Sequence, residues 1–189
     1  FNKEDGIRDR LVNGVKTCGI QISNTIKGAG RKDLAKRTAL QVNVSVTPGI
    51  DNATILTLLR LHKDEKALQA LVEEQKLSVS QSEMDGCETL ELLAEMILNA
   101  AYKKRIDLFS TDDLAITLSE QVRQLFTKNP ENRIRLKAIG GGGGKGQRIL
   151  DCPTLFKGSA FEQLALAVKP VESMLLEVLS EVKATGVGD

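Results

Sequence analysis

The chain has 189 residues, with 26 basic and 25 acidic side chains and a formal charge of +1. That length is enough to bury about 70% of the unfolded surface in one domain or two small ones. Near-neutral charge argues against a dedicated nucleic-acid binder, and an aromatic content of 3% without tryptophan leaves few platforms on which single-stranded bases could stack. No run approaches the ~18 uninterrupted apolar residues of a membrane span, and no signal peptide is visible, so neither nucleic acid nor membrane is expected as a partner.

Taken in chain order, Gly6 to Ile26 mixes polar and apolar residues around Gly14 and Gly19, consistent with a helix leading to a short strand near Ile20 to Ile22. Asp33 to Leu40 suits a helix, and Val42, Val44 and Val46 alternate with polar residues in the period of a strand ended by Pro48 and Gly49. From Thr54 to Leu77, and again from Met84 to Ile106, apolar residues recur at helical spacing, which predicts an αα-hairpin joined by the Ser-rich 77–82 segment. Its charged outer faces read as a solvated surface. Ser110 or Thr111 caps a further helix through Phe126, stopped by Asn129 and Pro130. Beyond the glycine segment considered below, a loop with Pro153 leads to helices over 160–167 and 171–183, and Val171, Met174, Leu175, Val178, Leu179 and Val182 share one face of the second. Glycine at 186 and 188 suits a C-cap.

Cys18, Cys87 and Cys152 are odd in number and lack CxxC spacing, so they read as reduced structural thiols of a cytoplasmic or organellar-matrix protein. His62 is the sole histidine and lies in a charged stretch, which reads as a surface position; no Ser-His-Asp or Cys-His set is available without it. Phe1 and Gly188–Asp189 read as cuts in a longer polypeptide.

The segment with the most chemical content is Arg133 to Leu150, RIRLKAIGGGGGKGQRIL, where Gly140 to Gly144, Lys145 and Gly146 lie between two strand-like stretches. Glycine exposes its N–H groups and tolerates positive φ, so such a run can curl around an anion, and lysine adds a mobile positive charge. A Walker-type loop requires Gly-Lys-Ser/Thr before a helix, and Gly146 and Gln147 follow the lysine here. A dinucleotide fingerprint requires a helix after the glycines, whereas Gln147 to Leu150 reads as a returning strand. A glycine loop at the tip of an antiparallel pair, closing over phosphates, fits the order of elements. The plain alternative is a flexible linker.

RLKAIGGGGGKGQRIL resembles the nucleotide-binding hairpin of biotin carboxylase, the ATP-grasp component of biotin-dependent carboxylases. The shared pattern is an apolar strand, Lys-Ala, an optional residue or two, a glycine run, Lys or Arg, Gly and a second apolar strand; Lys137, Ala138, Gly141, Gly142, Gly143, Gly144, Lys145 and Gly146 fit it. Upstream, GAGRKDLAKRTALQVNVSVTPGID is similar to the family's Gly-Asp-Lys segment, helix and strand, with Lys32 at the phosphate-reaching lysine and Arg31 where the family has Asp.

The resemblance implies an α/β (α+β) fold: an ATP-grasp-like fragment with a small sheet and glycine-loop hairpin backed by helices. It divides the chain into 1–53, the end of the pre-ATP-grasp region with its linker; 54–108, a helical hairpin insertion; and 109–189, the lid subdomain. It implies part of a ligase that carboxylates biotin from bicarbonate and ATP, inactive as this fragment alone. ATP phosphates would meet Lys32, Lys137, Gly141 to Gly144, Lys145 and Gly146. The Mg2+ ligands and bicarbonate-handling residues fall downstream of Asp189, and no catalytic or metal-ligating residue is assigned within the chain. Its partners would be ATP, a biotinyl carrier domain on another domain or subunit, and the rest of an oligomeric carboxylase. The alternatives are another ATP-grasp ligase, such as a carbamoyl-phosphate synthetase-like enzyme, or a non-catalytic helical interaction module with a glycine linker.

Overall fold

The computed structural model describes residues 36, 38, 39, 41–46, 49–138 and 146–184. The readings placed on 6–26, Lys32, Gly140 to Lys145 and 185–188 lie outside them. The chain divides after Gly49 into two units, Phe1–Gly49 and Ile50–Val187.

In the first unit the expected strand over Val42 to Val46 is not formed. Residues 36, 38, 39 and 41 are helical, Asn43 takes φ 58°, and the Val44 N–H reaches back to the Ala39 carbonyl at 2.8 Å. That bond across five residues, with a left-handed residue just before it, is a Schellman stop. Asparagine tolerates the left-handed region better than most side chains, so a helix end prevails over the alternation of valines. Val42 and Val44 are exposed instead of facing a sheet partner.

The second unit is helical with one small sheet: α1 (Ala53–Leu61), α2 (Glu65–Glu74), α3 (Gln81–Asp85), α4 (Leu90–Lys103), α5 (Thr111–Lys128), β1 (Ile134–Lys137), β2 (Gln147–Leu150), a 3₁₀ turn at Pro153–Leu155, α6 (Ala160–Val168) and α7 (Val171–Ala184). Each of the two long helices expected over 54–77 and 84–106 is broken in two. Asp64 turns extended and accepts from the Ala67 N–H at 2.9 Å, which starts α2 afresh. Ser80 opens the short α3, and Thr89 accepts from Leu92 N to start α4. In each case a side-chain oxygen satisfies N–H groups that an uninterrupted helix would have paired internally, so the break costs little.

The same device recurs downstream. Ser80 with Glu83, Ser110 with Asp113 and Ser159 with Glu162 form reciprocal capping boxes. The hydrogen bonds from the serine hydroxyls and backbone hold all three carboxyls below their ordinary range. At the other ends, α2 and α4 stop in Schellman motifs with left-handed Lys76 (φ 50°) and Arg105 (φ 56°). Leu77 N bonds Val72 O at 2.9 Å and Ile106 N bonds Ala101 O at 3.0 Å. Lys104 Nζ also donates to the Lys76 carbonyl, tying the two stops together.

Among the described residues two apolar clusters form the core. The first gathers Ile55, Leu58, Leu68, Leu71, Leu93 and Ile97 from α1, α2 and α4. The second gathers Leu118, Val122, Phe126, Leu150, Val168, Val171 and Leu175 from α5, β2, α6 and α7. Helix α1 packs on both α4 and α5, and thereby joins the two. Across that seam Arg60 donates to Thr117 Oγ1 at 3.0 Å and to Asp113 Oδ1 at 2.9 Å, while the buried Thr57 hydroxyl bonds the Ala53 carbonyl. His62 is the half-buried C-cap of α1, donating its backbone N–H to Leu58 O.

At coarse level the architecture is the mixed, helix-rich one expected, with a two-stranded antiparallel sheet. None of the described helices is long and apolar enough to cross a membrane. Cys87, half-buried, and Cys152, buried, are free thiols, and Cys18 lies outside the described residues.

Candidate functional site

The described residues on either side of the glycine segment form the sheet. Strands β1 and β2 run antiparallel with Ile134 opposite Leu150, Arg135 opposite Ile149, Leu136 opposite Arg148 and Lys137 opposite Gln147. One further bond, Ala138 N–H to Gly146 O at 3.0 Å, extends the ladder past the strand ends. Residues 139–145 therefore connect the two strands of a hairpin. Side chains alternate across a strand, so opposite partners share a face. Ile134, Leu136, Arg148 and Leu150 lie on the face packed by α7 and the second core cluster; Arg135, Lys137, Gln147 and Ile149 lie on the other, more open face.

Lys137, the described lysine expected at phosphates, is exposed on that open face. Its neighbour Arg135 reaches Gln147 Oε1 at 3.4 Å. Lys32, Gly141 to Gly144 and Lys145 lie outside the described residues, so of the expected set the structure describes Lys137 and Gly146, one at each side of the hairpin's neck.

Gly146 has φ 64°, and a Cβ there would stand 3.2 Å from Val182 Cγ2 and 3.3 Å from Ala138 Cβ. Both the backbone conformation and the close approach of α7 require glycine at this position. Its N–H donates to Glu181 Oε2 at 2.7 Å. Arg148, on the packed face, donates through Nη2 to Glu181 Oε1 at 2.5 Å and through Nε to Glu177 Oε2 at 2.6 Å. Glu177 and Glu181 stand four residues apart and so share one side of α7. The guanidinium is pushed further above its ordinary range, first by the hydrogen bond to Glu181 and then by that to Glu177. Glu181 thus holds a backbone amide and a guanidinium at once, and fixes the neck of the hairpin to α7.

Arg148, Glu177 and Glu181 do not belong to the set expected from the sequence. The signal for Arg148 is its place two residues after Gly146, which puts it on the inward face of β2 beside Leu150. The signal for the glutamates is their i, i+4 spacing next to Leu175 and Val178, on a helix whose apolar face must meet that strand.

Among the described residues no group of three or more His, Cys, Asp or Glu side chains could hold a metal ion. An open groove of about 610 Å3 runs along α3 and α4, with Val79, Cys87, Leu92 and Met96 in its walls and Lys103 and Lys104 at one part of its lining. No protein-family model, curated protein or solved structure matches the chain, so the site rests on its own residues.

Proposed function

We propose that the chain carries the phosphate-gripping hairpin of an ATP-grasp ligase of the biotin carboxylase type, and contributes nucleotide binding to ATP-dependent carboxylation of biotin. The observation that carries this reading is the pairing of the flanking strands: the register from Ile134↔Leu150 to Lys137↔Gln147, extended by Ala138 N–H to Gly146 O, puts the glycine run in the connection of a hairpin, which supports a phosphate-gripping tip over a spacer between domains. A run of backbone N–H groups at such a tip can surround phosphate oxygens without side-chain obstruction, and Lys137 supplies a positive charge at its neck. Helix α7 behind the sheet gives the loop a fixed base through Glu181. The resemblance puts the Mg2+ ligands downstream of Asp189, so no step of phosphoryl transfer is assigned to the described residues. Another ATP-grasp ligase would use the same hairpin in the same way.

The groove along α3 and α4 supports a second reading, a helical interaction module in which the glycine run is only a connector. Titration of the 15N-labelled protein with Mg-ATP separates the two. The phosphate-gripping reading requires saturable shifts of the Gly140 to Gly144 amides, and about tenfold weaker binding in Lys137→Ala from loss of a charge-assisted contact. Glycine amides that ignore ATP at millimolar concentration would refute it, and a protein that tolerates shortening of the run to two glycines without functional loss would favour the connector.

A further inference from the structure

The neck of the hairpin already binds an anion, and that anion is part of the protein. Glu181 presents one oxygen to the Gly146 N–H at 2.7 Å and the other to Arg148 Nη2 at 2.5 Å. A left-handed glycine amide beside a guanidinium fork is the donor set that receives two oxygens of a phosphate group. We infer that Gly146 N–H and Arg148 form an anion subsite for a phosphate or pyrophosphate group, with the Glu181 carboxylate as its resident, competing occupant. The inference rests on the phosphate-gripping reading for its biological ligand, but the subsite itself is built from described residues alone.

Glu181 and Glu177 play different parts in it. Glu177 touches Arg148 Nε and does not touch Gly146, whereas Glu181 holds both donors. The Arg148 side chain is 25% exposed and that of Glu181 38%, so solvent and a small anion can reach the guanidinium side of the contact, whereas Gly146 itself is buried. An incoming phosphate oxygen would displace Glu181 from the Gly146 amide, and Glu177 would keep the guanidinium in place through Nε. The exchange swaps one anion for another on the same donors, which costs less than stripping them bare. It also releases the hairpin's neck at Gly146 from α7.

Inorganic pyrophosphate is the probe, read by calorimetry and by the Gly146 amide and Arg148 Nε–H resonances. Glu181→Gln should bind it about tenfold more tightly than the unmodified protein, because a charged competitor has left the charge-assisted donors. Glu177→Gln removes the same charge without freeing Gly146 and should gain clearly less. Adding Arg148→Gln to Glu181→Gln should abolish the gain. Equal gains in the two glutamine variants would reduce the effect to general electrostatics and overturn the inference, as would pyrophosphate binding that leaves the Gly146 amide unmoved. Should Glu181→Gln fold poorly, the unmodified protein at high pyrophosphate supplies the same readout at Gly146, and an unmoved amide there also overturns it. ATP distinguishes this failure from that of the functional reading: glycine-loop shifts of equal affinity with and without Glu181 leave the function standing and remove the subsite. A pyrophosphate response at Gly146 with glycine amides that ignore ATP does the reverse.

Discussion

Replacing the left-handed residues that end α2 and α4 by glycine should stabilise the protein. Lys76 and Arg105 occupy the Schellman position at φ 50° and 56°, and both side chains are exposed. A residue with a Cβ costs about 1–2 kcal/mol in the left-handed region. Glycine gives back about 0.5–1 kcal/mol through its greater freedom in the unfolded chain. Each lost cation at a helix C-terminus gives back a further few tenths of a kcal/mol. The balance is a gain of about 0.5 kcal/mol for Lys76→Gly and the same for Arg105→Gly. The bond from Lys104 Nζ to the Lys76 carbonyl uses neither side chain replaced, so it survives in both variants. The two gains should therefore add to about 1 kcal/mol in the double variant, or about 2–4 °C in Tm for a chain of this size. Urea denaturation followed by circular dichroism measures it as a rise in midpoint at constant slope. Gln75→Gly is the control. It sits one residue earlier at φ −85°, where glycine relieves nothing, and it should lose stability by about 0.5–1 kcal/mol. A double variant no more stable than the parent, or a Gln75→Gly variant that gains as much as Lys76→Gly, would refute the assignment of strain to these two residues.

Ser110→Ala and Ser159→Ala each remove the acceptor for an N3 amide, and each should cost about 1 kcal/mol in the same denaturation assay, with Ser→Thr restoring most of it. Phe126→Ala empties the largest fully buried side chain of the second cluster and should cost about 3–5 kcal/mol; a loss under 1 kcal/mol would mean that this cluster is not the core of the hairpin half. Gly146→Ala forces a Cβ to 3.2 Å from Val182 Cγ2 at positive φ, and a loss of about 1–2 kcal/mol is expected, with Ile134 and Leu150 amides exchanging faster. Glu83, Asp113 and Glu162 have carboxyls held below their ordinary values of 4.5, 3.8 and 4.5, so they bind fewer protons folded than unfolded. Their contribution is complete above those values and disappears as pH falls through the lower folded ones. Acid titration of the denaturation midpoint should show that decline below about pH 4.5, and a smaller one in Ser110→Ala and Ser159→Ala.

What the sequence could convey here follows from how local each signal is. The hairpin over 134–150 was legible because a strand pair joined by a short connection needs only alternation and glycine, both contained in one window of residues. Helix α5 was legible from Ser110 and from Asn129 with Pro130 for the same reason. The strand over Val42 to Val46 misled because alternation is only a preference for an extended chain with a partner, whereas Asn43 offers a helix stop that needs none. The breaks at Asp64 and Thr89 were hidden within continuous apolar periodicity, since a cap adds one side-chain bond and leaves the pattern on either side intact. The clamp on the hairpin was the least legible part. Glu181 lies 35 residues beyond Gly146 and 33 beyond Arg148, and no local pattern relates them. Their meeting is decided by the burial of Leu175, a member of the second core cluster, and of Val178 on a helix that packs on α5, which fixes the rotation of α7 and turns two of its glutamates toward β2. The chemistry of the neck is thus set by tertiary packing: one residue of rotation about a helix axis is about 100°, so it is the seating of the apolar face of α7 that keeps Glu181 on the Gly146 N–H and Arg148.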